Sequence, residues 1–188
     1  MNDIVQTPRQ VALFRGINVG RAKRVAMADL RKLLGELGYS EVHTVLNSGN
    51  VVFGGQGVAP AESAVRIEEA LVLKLGVAAR VTVLDGARFA EIMAENSLLA
   101  LAPDPSKLLV SVLNDPADRA RLEALLALDW APEALAAGKW AAYLWCPAGV
   151  LASRAAASVG TLLGDAVTSR NWSTMSRLHA LLRGQDGP

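Results

Sequence analysis

The chain has 188 residues, of which 52% are hydrophobic, and its formal net charge is +1. High apolar content with almost no net charge excludes intrinsic disorder, and the length suits one domain or two small ones. A single cysteine, Cys146, excludes a framework of internal disulfides. Because no apolar run approaches the roughly 18 residues of a membrane span and the polar N-terminus lacks a signal-peptide core, we expect a cytoplasmic protein without a membrane partner.

The first half of the chain alternates short apolar runs with amphipathic segments. The predicted elements are a strand at 11–14, a helix at 27–37, strands at 42–46 and 51–53, a helix at 61–75, a strand at 80–84 and a further helix that Asp85 caps. The two middle strands form a hairpin, because the sequence NSGN at 47–50 is typical of a tight turn. The order is strand, helix, strand, strand, helix, strand, followed by an extra helix.

The second half repeats this order of elements without repeating the residues. The predicted elements are a strand at 107–113, a helix opening at Pro116, strands at 131–135 and 140–146, a helix at 150–163, a strand at 166–168 and a last helix that Asn171 caps. The sequence PDP at 103–105 is the best candidate linker. We therefore predict an α+β fold of two ferredoxin-like (split βαβ) halves, each with an extra helix and antiparallel or mixed sheets. The predicted domains are residues 1–102, which include the linker helix, and residues 103–188.

Charge is distributed unevenly along the chain. Residues 4–28 and residues 166–185 contain several cations and no Asp or Glu, whereas the acidic residues fall mainly on predicted helices between them. A nearly neutral protein can therefore carry one local basic site if these two segments meet.

The first candidate site segment is the glycine-containing connection after the first strand. Arg15, Gly16, Asn18 and Lys23 lie here, where a strand end leads into a helix and α/β proteins often bind ligands. Backbone amides and cations in such a loop suit a phosphate or carboxylate. The spacing matches neither a P-loop nor a dinucleotide fingerprint, and a plain turn with solvated arginines is the alternative interpretation.

The second candidate segment is the predicted hairpin tip, which contains Ser48 and Asn50. Small polar residues are also what a tight turn requires, so the sequence alone favours a purely structural role. Ser48 is a poor candidate nucleophile because no histidine or aspartate base lies near it in the sequence.

The third candidate segment precedes the last predicted helix and contains Arg170, Asn171 and Thr174. A helix N-terminus offers free amide donors and a positive dipole end, and Arg170 makes the place more attractive to an anion. The alternative is a capped helix in which Trp172 packs as a core anchor.

No catalytic, metal or cofactor site can be assigned from the sequence. His43 and His179 are too scattered for a metal site, zinc-ligand spacing is absent, and Cys146 lies on an apolar strand where a small buried residue is expected. No pair of nucleophile and base can be named, so the sequence leaves open whether the protein is an enzyme.

Three motifs resemble the bacterial protein family of unknown function DUF1697. They are LFRGINVG at 13–20, SGNVVF at 48–53, and RNW at 170–172 with Thr174. The resemblance extends from residue 11 to about residue 182 and implies a two-part α+β protein of ferredoxin-like halves with no established activity. The sequence departs from the usual motifs at Arg21, Ala26, Ser153-Arg154-Ala155 and Ser173. Because these polar motifs coincide with the three candidate segments, the resemblance favours one shared site.

We therefore expect a small anionic ligand, either a nucleotide or a phosphorylated metabolite, at a basic site rich in Asn and Gly between the halves. In this interpretation the cations Arg15, Lys23 and Arg170 hold the anion, the amides of Asn18, Asn50 and Asn171 orient it, and Ser48 or Thr174 donates a hydrogen bond.

Two other functions remain open. A nucleic-acid-binding module is less favoured, because Phe14 and Phe53 occupy the strands on which RNA-stacking aromatics would lie but the RNP1 pattern is missing. A non-catalytic interaction or dimerisation domain would use the aromatic residues concentrated in the second half, which are Trp130, Trp140, Tyr143 and Trp145. The sequence does not set the oligomeric state.

Overall fold

The fold is taken from a computed structural model that describes residues 8–19 and 24–185. The chain divides into two compact units. Unit 1 comprises the residues up to Phe89 and those from Ala180 onward, and unit 2 comprises Ala90–His179. These units interleave along the chain, whereas the sequence predicts one division between residues 102 and 103, and that division stays a prediction.

Unit 1 is built on a four-stranded antiparallel sheet. Its elements are β1 (Arg9–Arg15), α1 (Met27–Glu36), β2 (Ser40–Thr44), β3 (Asn50–Gly54), α2 (Pro60–Leu75), β4 (Arg80–Asp85) and the first residues of the extra helix α3 (Gly86–Ala94), which continues into unit 2. The strands lie in the order β2-β3-β1-β4, so the first and third strands are central. This is the split βαβ arrangement.

The core of unit 1 forms where α1 and α2 pack their apolar stripes against β1 and β3. Leu30 and Leu34 on α1, and Ile67 and Leu71 on α2, are completely buried with Phe53 of β3. Burying such side chains contributes about 1.5–3 kcal/mol each, so this packing fixes the ends of the central strands, where the first two candidate segments lie.

The end of the chain is attached to unit 1 by Arg9. Its Nη1 donates to the Leu181 carbonyl oxygen over 2.7 Å, and its Nη2 donates to Oε2 of Glu41 over 2.7 Å. A guanidinium is a favourable partner for the exposed carbonyls at a helix C-terminus. This contact explains why residues from Ala180 onward belong to unit 1.

Unit 2 repeats the topology with different packing. Its elements are β5 (Leu108–Leu113), α4 (Glu123–Leu126), β6 (Ala134–Ala137), β7 (Ala141–Trp145), α5 (Arg154–Leu163), β8 (Val167–Asn171) and α6 (Trp172–Leu182), the last of which continues into unit 1. The strand order is β6-β7-β5-β8 and all pairs are antiparallel. Its core includes Leu113, Leu122, Leu144 and Val159.

Four predicted elements of unit 2 differ from the structure. The strand expected at 131–135 lies at Ala134–Ala137, and the helix expected at 150–163 is a 3-10 turn at Val150–Ala152 followed by α5. Two further elements differ in form or length. The helix expected from Pro116 is a 3-10 helix over Pro116–Leu122 that becomes α-helical for one turn in α4. The strand expected at 166–168 extends to Asn171, because Arg170 and Asn171 pair with Val110 and Leu109 of β5. Both changes come from pairing and packing partners distant in sequence, which local patterns do not contain.

The α+β fold of two split βαβ halves with antiparallel sheets is thereby confirmed. Within the described residues, no helix combines the length and the hydropathy that crossing a bilayer requires.

Candidate functional site

Asn18 organises the connection between β1 and α1, which we call the basic loop (residues 16–26). Its Oδ1 accepts from the Val25 amide over 2.8 Å, and its Nδ2 donates to the carbonyl oxygens of Val25 and Asn47 over 2.9 and 2.8 Å. Asn18 has a φ of 55°, which asparagine tolerates better than most residues. One amide side chain thus closes the basic loop and joins it to the segment after β2.

The hairpin tip (residues 45–49) is held against the basic loop by close packing. The Phe14 amide donates to the Gly49 carbonyl oxygen over 2.8 Å. Gly49 has a φ of 75°, and a Cβ built on it would lie 2.6 Å from both Cδ1 of Ile17 and Cβ of Phe14. Glycine is therefore required here for its backbone conformation and for the close approach.

Asn50 stabilises the hairpin tip from inside. It is completely buried, and its Nδ2 donates to the Val45 carbonyl oxygen and to Oγ of Ser48, each over 2.9 Å. The first two candidate segments therefore meet, but the amides of Asn18 and Asn50 hold the two loops in place.

A surface pocket of about 500 Å³ opens where the basic loop and the hairpin tip come together. Its lining residues are Asn18, Arg24, Val25, Ala26, Met27 and Asn47. We call it the loop pocket. Its size lies within the range of small-molecule sites, and its lining combines one cation, two amides and three apolar residues.

Two groups in the loop pocket suit an anion. Arg24 is exposed and makes no hydrogen bond or ion pair with another described residue. Ala26 is the N-cap residue of α1, and no side chain among the described residues caps the helix there. The first amides of a helix have no partner within the helix and point out of its N-terminus, where the helix dipole places a partial positive charge, although Asp29 supplies a carboxylate in the same turn.

The other site residues predicted in this segment are Arg15, Gly16 and Lys23. Arg15 ends β1, half-buried and opposite Arg80 of β4, and Gly16 is exposed with a φ of 74°. Lys23 lies outside the described residues. Neither Arg15 nor Gly16 lines the part of the loop pocket that the structure describes.

The third candidate segment forms a helix cap in unit 2. Oδ1 of Asn171 accepts from the amide and from Oγ1 of Thr174, over 2.9 and 2.8 Å. The Ser173 amide reaches the Pro105 carbonyl oxygen over 3.4 Å. Amides that a ligand would need at α6 are therefore already paired within the protein, as the capping interpretation of Asn171 expects.

Arg170 is a partly buried cation on β8. Its Nη1 donates to the Ser169 carbonyl oxygen over 2.8 Å. Burial lowers the pKa of Arg170 to about 10, because a low-dielectric surrounding disfavours the charged form. The guanidinium is nevertheless charged at neutral pH, and the predicted contribution of Arg170 to a shared site stays a prediction.

The N-terminus of α5 shows how this protein satisfies a helix end with its own anion. Oε2 of Glu133 accepts from Oγ of Ser153 over 2.5 Å and from the Ala155 amide over 3.0 Å, and Oε1 accepts from the Arg154 amide over 3.0 Å. Burial raises the pKa of Glu133, but these hydrogen bonds and the Arg154 charge outweigh it and hold the pKa below the ordinary 4.5.

Replacing Glu133 by glutamine should therefore remove pH-dependent stability. A carboxyl with a lowered pKa in the folded state stabilises the fold above its unfolded pKa of about 4.5, and this stability is lost as pH falls through the folded pKa. We expect Glu133→Gln to lower the free energy of unfolding by about 2 kcal/mol at neutral pH and to flatten its acid limb. Urea unfolding at several pH values measures both.

The control is Glu62→Gln, which removes an exposed carboxylate paired with Arg66 within α2. Such a pair contributes about 0.3–0.5 kcal/mol, so the pH dependence should stay close to that of the unmodified protein. Parallel stability curves for Glu133→Gln and Glu62→Gln would contradict the assigned role of Glu133.

No cluster of three or more His, Cys, Asp or Glu side chains with the placement of a metal site occurs in residues 8–19 and 24–185. Cys146 is completely buried, and burial raises the pKa of its thiol. A neutral, inaccessible thiol is a poor nucleophile, in agreement with the packing role expected for Cys146.

The chain belongs to the protein family of unknown function DUF1697, whose family model matches residues 8–143. The matched range includes the basic loop and the hairpin tip but ends before the third candidate segment. The comparison with curated proteins found no match.

The fold is similar to that of the conserved bacterial protein SP0830 from Streptococcus pneumoniae. The two structures superpose with a TM-score of 0.75 at 23% sequence identity, over 93% of this chain and 98% of that one. At 23% sequence identity, this similarity shows that the two proteins share a fold.

Sequence reasoning did not select two polar residues of the loop pocket, Arg24 and Asn47. Both lie within the segments it singled out, but the signal that selects them is tertiary. Arg24 is placed at the start of α1 by the two bonds between Asn18 and Val25, and Asn47 is placed by its carbonyl bond to Asn18.

Proposed function

We propose that unit 1 binds a small anionic ligand, a nucleotide or a phosphorylated metabolite, in the loop pocket. The observation that carries the proposal is the pocket of about 500 Å³ in which exposed Arg24 lies beside the uncapped start of α1. A guanidinium and helix-terminal amides both favour a phosphate group, because each donates hydrogen bonds and carries positive charge.

The roles within this site differ from those expected of the predicted residues. Arg24 and the first amides of α1 hold the anion, and the exposed side chain of Asn47 is available to orient it. Asn18 and Asn50 act as positioning residues, since their amides already bind backbone and side-chain partners. A preformed frame of this kind lowers the ordering cost of binding.

We expect Arg24→Ala to weaken binding of ribose 5-phosphate about tenfold, because a charge-assisted hydrogen bond contributes roughly 1.5–3 kcal/mol and 1.4 kcal/mol corresponds to tenfold. Isothermal titration calorimetry measures the affinity directly. Stability should change little, since Arg24 is exposed and bonds to no other described residue.

The matched control is Arg66→Ala, which removes an exposed arginine from α2 of the same unit. It changes the net charge equally but should leave the affinity within twofold. Equal weakening by both substitutions would indicate general electrostatic attraction, and less than twofold weakening by Arg24→Ala would overturn the proposed site.

Four of the aromatic residues that the alternatives would use are buried. Phe14 and Phe53 are 1% and 0% exposed, so they offer no stacking surface to RNA. Trp130 and Tyr143 are likewise buried, at 9% and 0%. The tyrosine hydroxyl donates to the Ile92 carbonyl oxygen within unit 2 over 2.7 Å, so these two side chains serve packing.

A further inference from the structure

A bulky aliphatic residue directly before Asn47 of the loop pocket occupies a conformation that does not suit it. Leu46 has a φ of 58° and is 50% exposed. The left-handed region brings Cβ too close to the following carbonyl oxygen, so glycine and asparagine are the usual residues there. Leu46 therefore combines backbone strain with an apolar side chain in water, and neither feature helps unit 1 to fold.

A second exposed aliphatic residue lies on the opposite loop. Val19 is 72% exposed and directly follows Asn18, as Leu46 directly precedes Asn47. The hydrogen bond of 2.8 Å from Asn18 to the Asn47 carbonyl oxygen joins the two loops, so Val19 and Leu46 each adjoin in sequence a residue that lines the loop pocket. Two exposed aliphatic side chains therefore adjoin residues of the loop pocket, and the pocket itself contains Arg24 and the start of α1.

This combination matches a ligand with a charged end and a flat, poorly solvated end. We propose that the ligand is a nucleoside monophosphate, with its phosphate at Arg24 and the first turn of α1 and its base against Leu46 and Val19. This inference rests on the proposed function and narrows it, because a sugar phosphate has no apolar face to cover these side chains. Asn47, whose amide both donates and accepts, is placed to bond to the edge of the base.

The same reasoning assigns Leu46 a function that opposes stability. Substitution by asparagine keeps a residue that tolerates a positive φ and removes the exposed apolar group. We expect Leu46→Asn to raise the melting temperature by a few degrees, yet to weaken the binding of adenosine monophosphate at least fivefold. The binding of ribose 5-phosphate, which lacks the base, should change less than twofold.

The test compares both probes by calorimetry on the full chain, with Leu73→Asn as the control. Leu73 is 85% exposed on α2, so its substitution removes a similar apolar group outside the pocket and should change neither affinity. Val19→Ser provides a second variant on the other loop and should again weaken adenosine monophosphate selectively.

The outcomes separate the two proposals. If the unmodified protein binds the two probes equally, or if Leu46→Asn and Val19→Ser leave their ratio unchanged, the nucleotide inference is overturned and the anion site stands. If neither probe binds, both are overturned. A selective loss for adenosine monophosphate in both variants, with a higher melting temperature for Leu46→Asn, supports the inference.

Discussion

Replacing Gly49 by alanine is expected to lower the free energy of unfolding of unit 1 by about 3 kcal/mol. Its left-handed backbone costs roughly 1–2 kcal/mol once a Cβ is present. The added carbon would lie 2.6 Å from both Phe14 and Ile17, and overpacking of this kind costs about 1–3 kcal/mol. Neither neighbour can move freely, because Phe14 and Ile17 are 1% and 2% exposed in the core.

Gly57→Ala separates these two costs. Gly57 has a φ of 77°, almost the same as the 75° of Gly49, but its added Cβ would meet nothing within 4 Å. The control should therefore lose only the backbone contribution, about 1–2 kcal/mol. Chemical unfolding of both variants measures the difference, and equal losses would show that the contact between the hairpin tip and the basic loop is not tight.

Asn18→Asp is expected to destabilise unit 1 by about 2–3 kcal/mol, nearly as much as Asn18→Ala. The carboxylate has the same shape and can still accept from the Val25 amide, but it cannot donate to the Val25 and Asn47 carbonyl oxygens. Each lost hydrogen bond costs about 1 kcal/mol, and the acceptors left beside a negative charge cost more.

The measurement is urea unfolding together with the affinity for ribose 5-phosphate. Both Asn18 variants should bind the ligand weakly, because the basic loop is no longer joined to the hairpin tip. If Asn18→Asp instead keeps the stability of the unmodified protein, the amide of Asn18 does not join the loops. Asn47→Ser, which keeps the backbone carbonyl that Asn18 uses, should leave stability almost unchanged.

The fold followed from the sequence because its signals are local and repeated. Helical spacing in α1 and α2, a turn sequence between β2 and β3, and the same order of elements in both halves each restrict the topology independently. The 3-10 helix over Pro116–Leu122 and the length of β8 were not predictable, since they depend on packing and strand partners elsewhere in the chain.

The sequence predicted which segments form the candidate site, but it did not predict what each polar residue in them does. A polar residue in a glycine-rich loop can bind a ligand or satisfy the loop, and both uses favour the same residue types. Asn18, Asn50 and Asn171 all bind partners within their own loops or caps, which a sequence does not reveal. Arg24 was not selected from the sequence, because its position depends on the hydrogen bonds between Asn18 and Val25.

Amide chemical shifts during a titration with ribose 5-phosphate test the central claim most directly. Anion binding in the loop pocket predicts the largest changes at the amides of Arg24, Val25 and Met27, with a smaller change at Asn47. These changes should saturate with added ligand and disappear in Arg24→Ala. Changes confined to the N-terminal turns of α5 and α6, or no saturable change at millimolar ligand, would contradict an anion site between the basic loop and the hairpin tip.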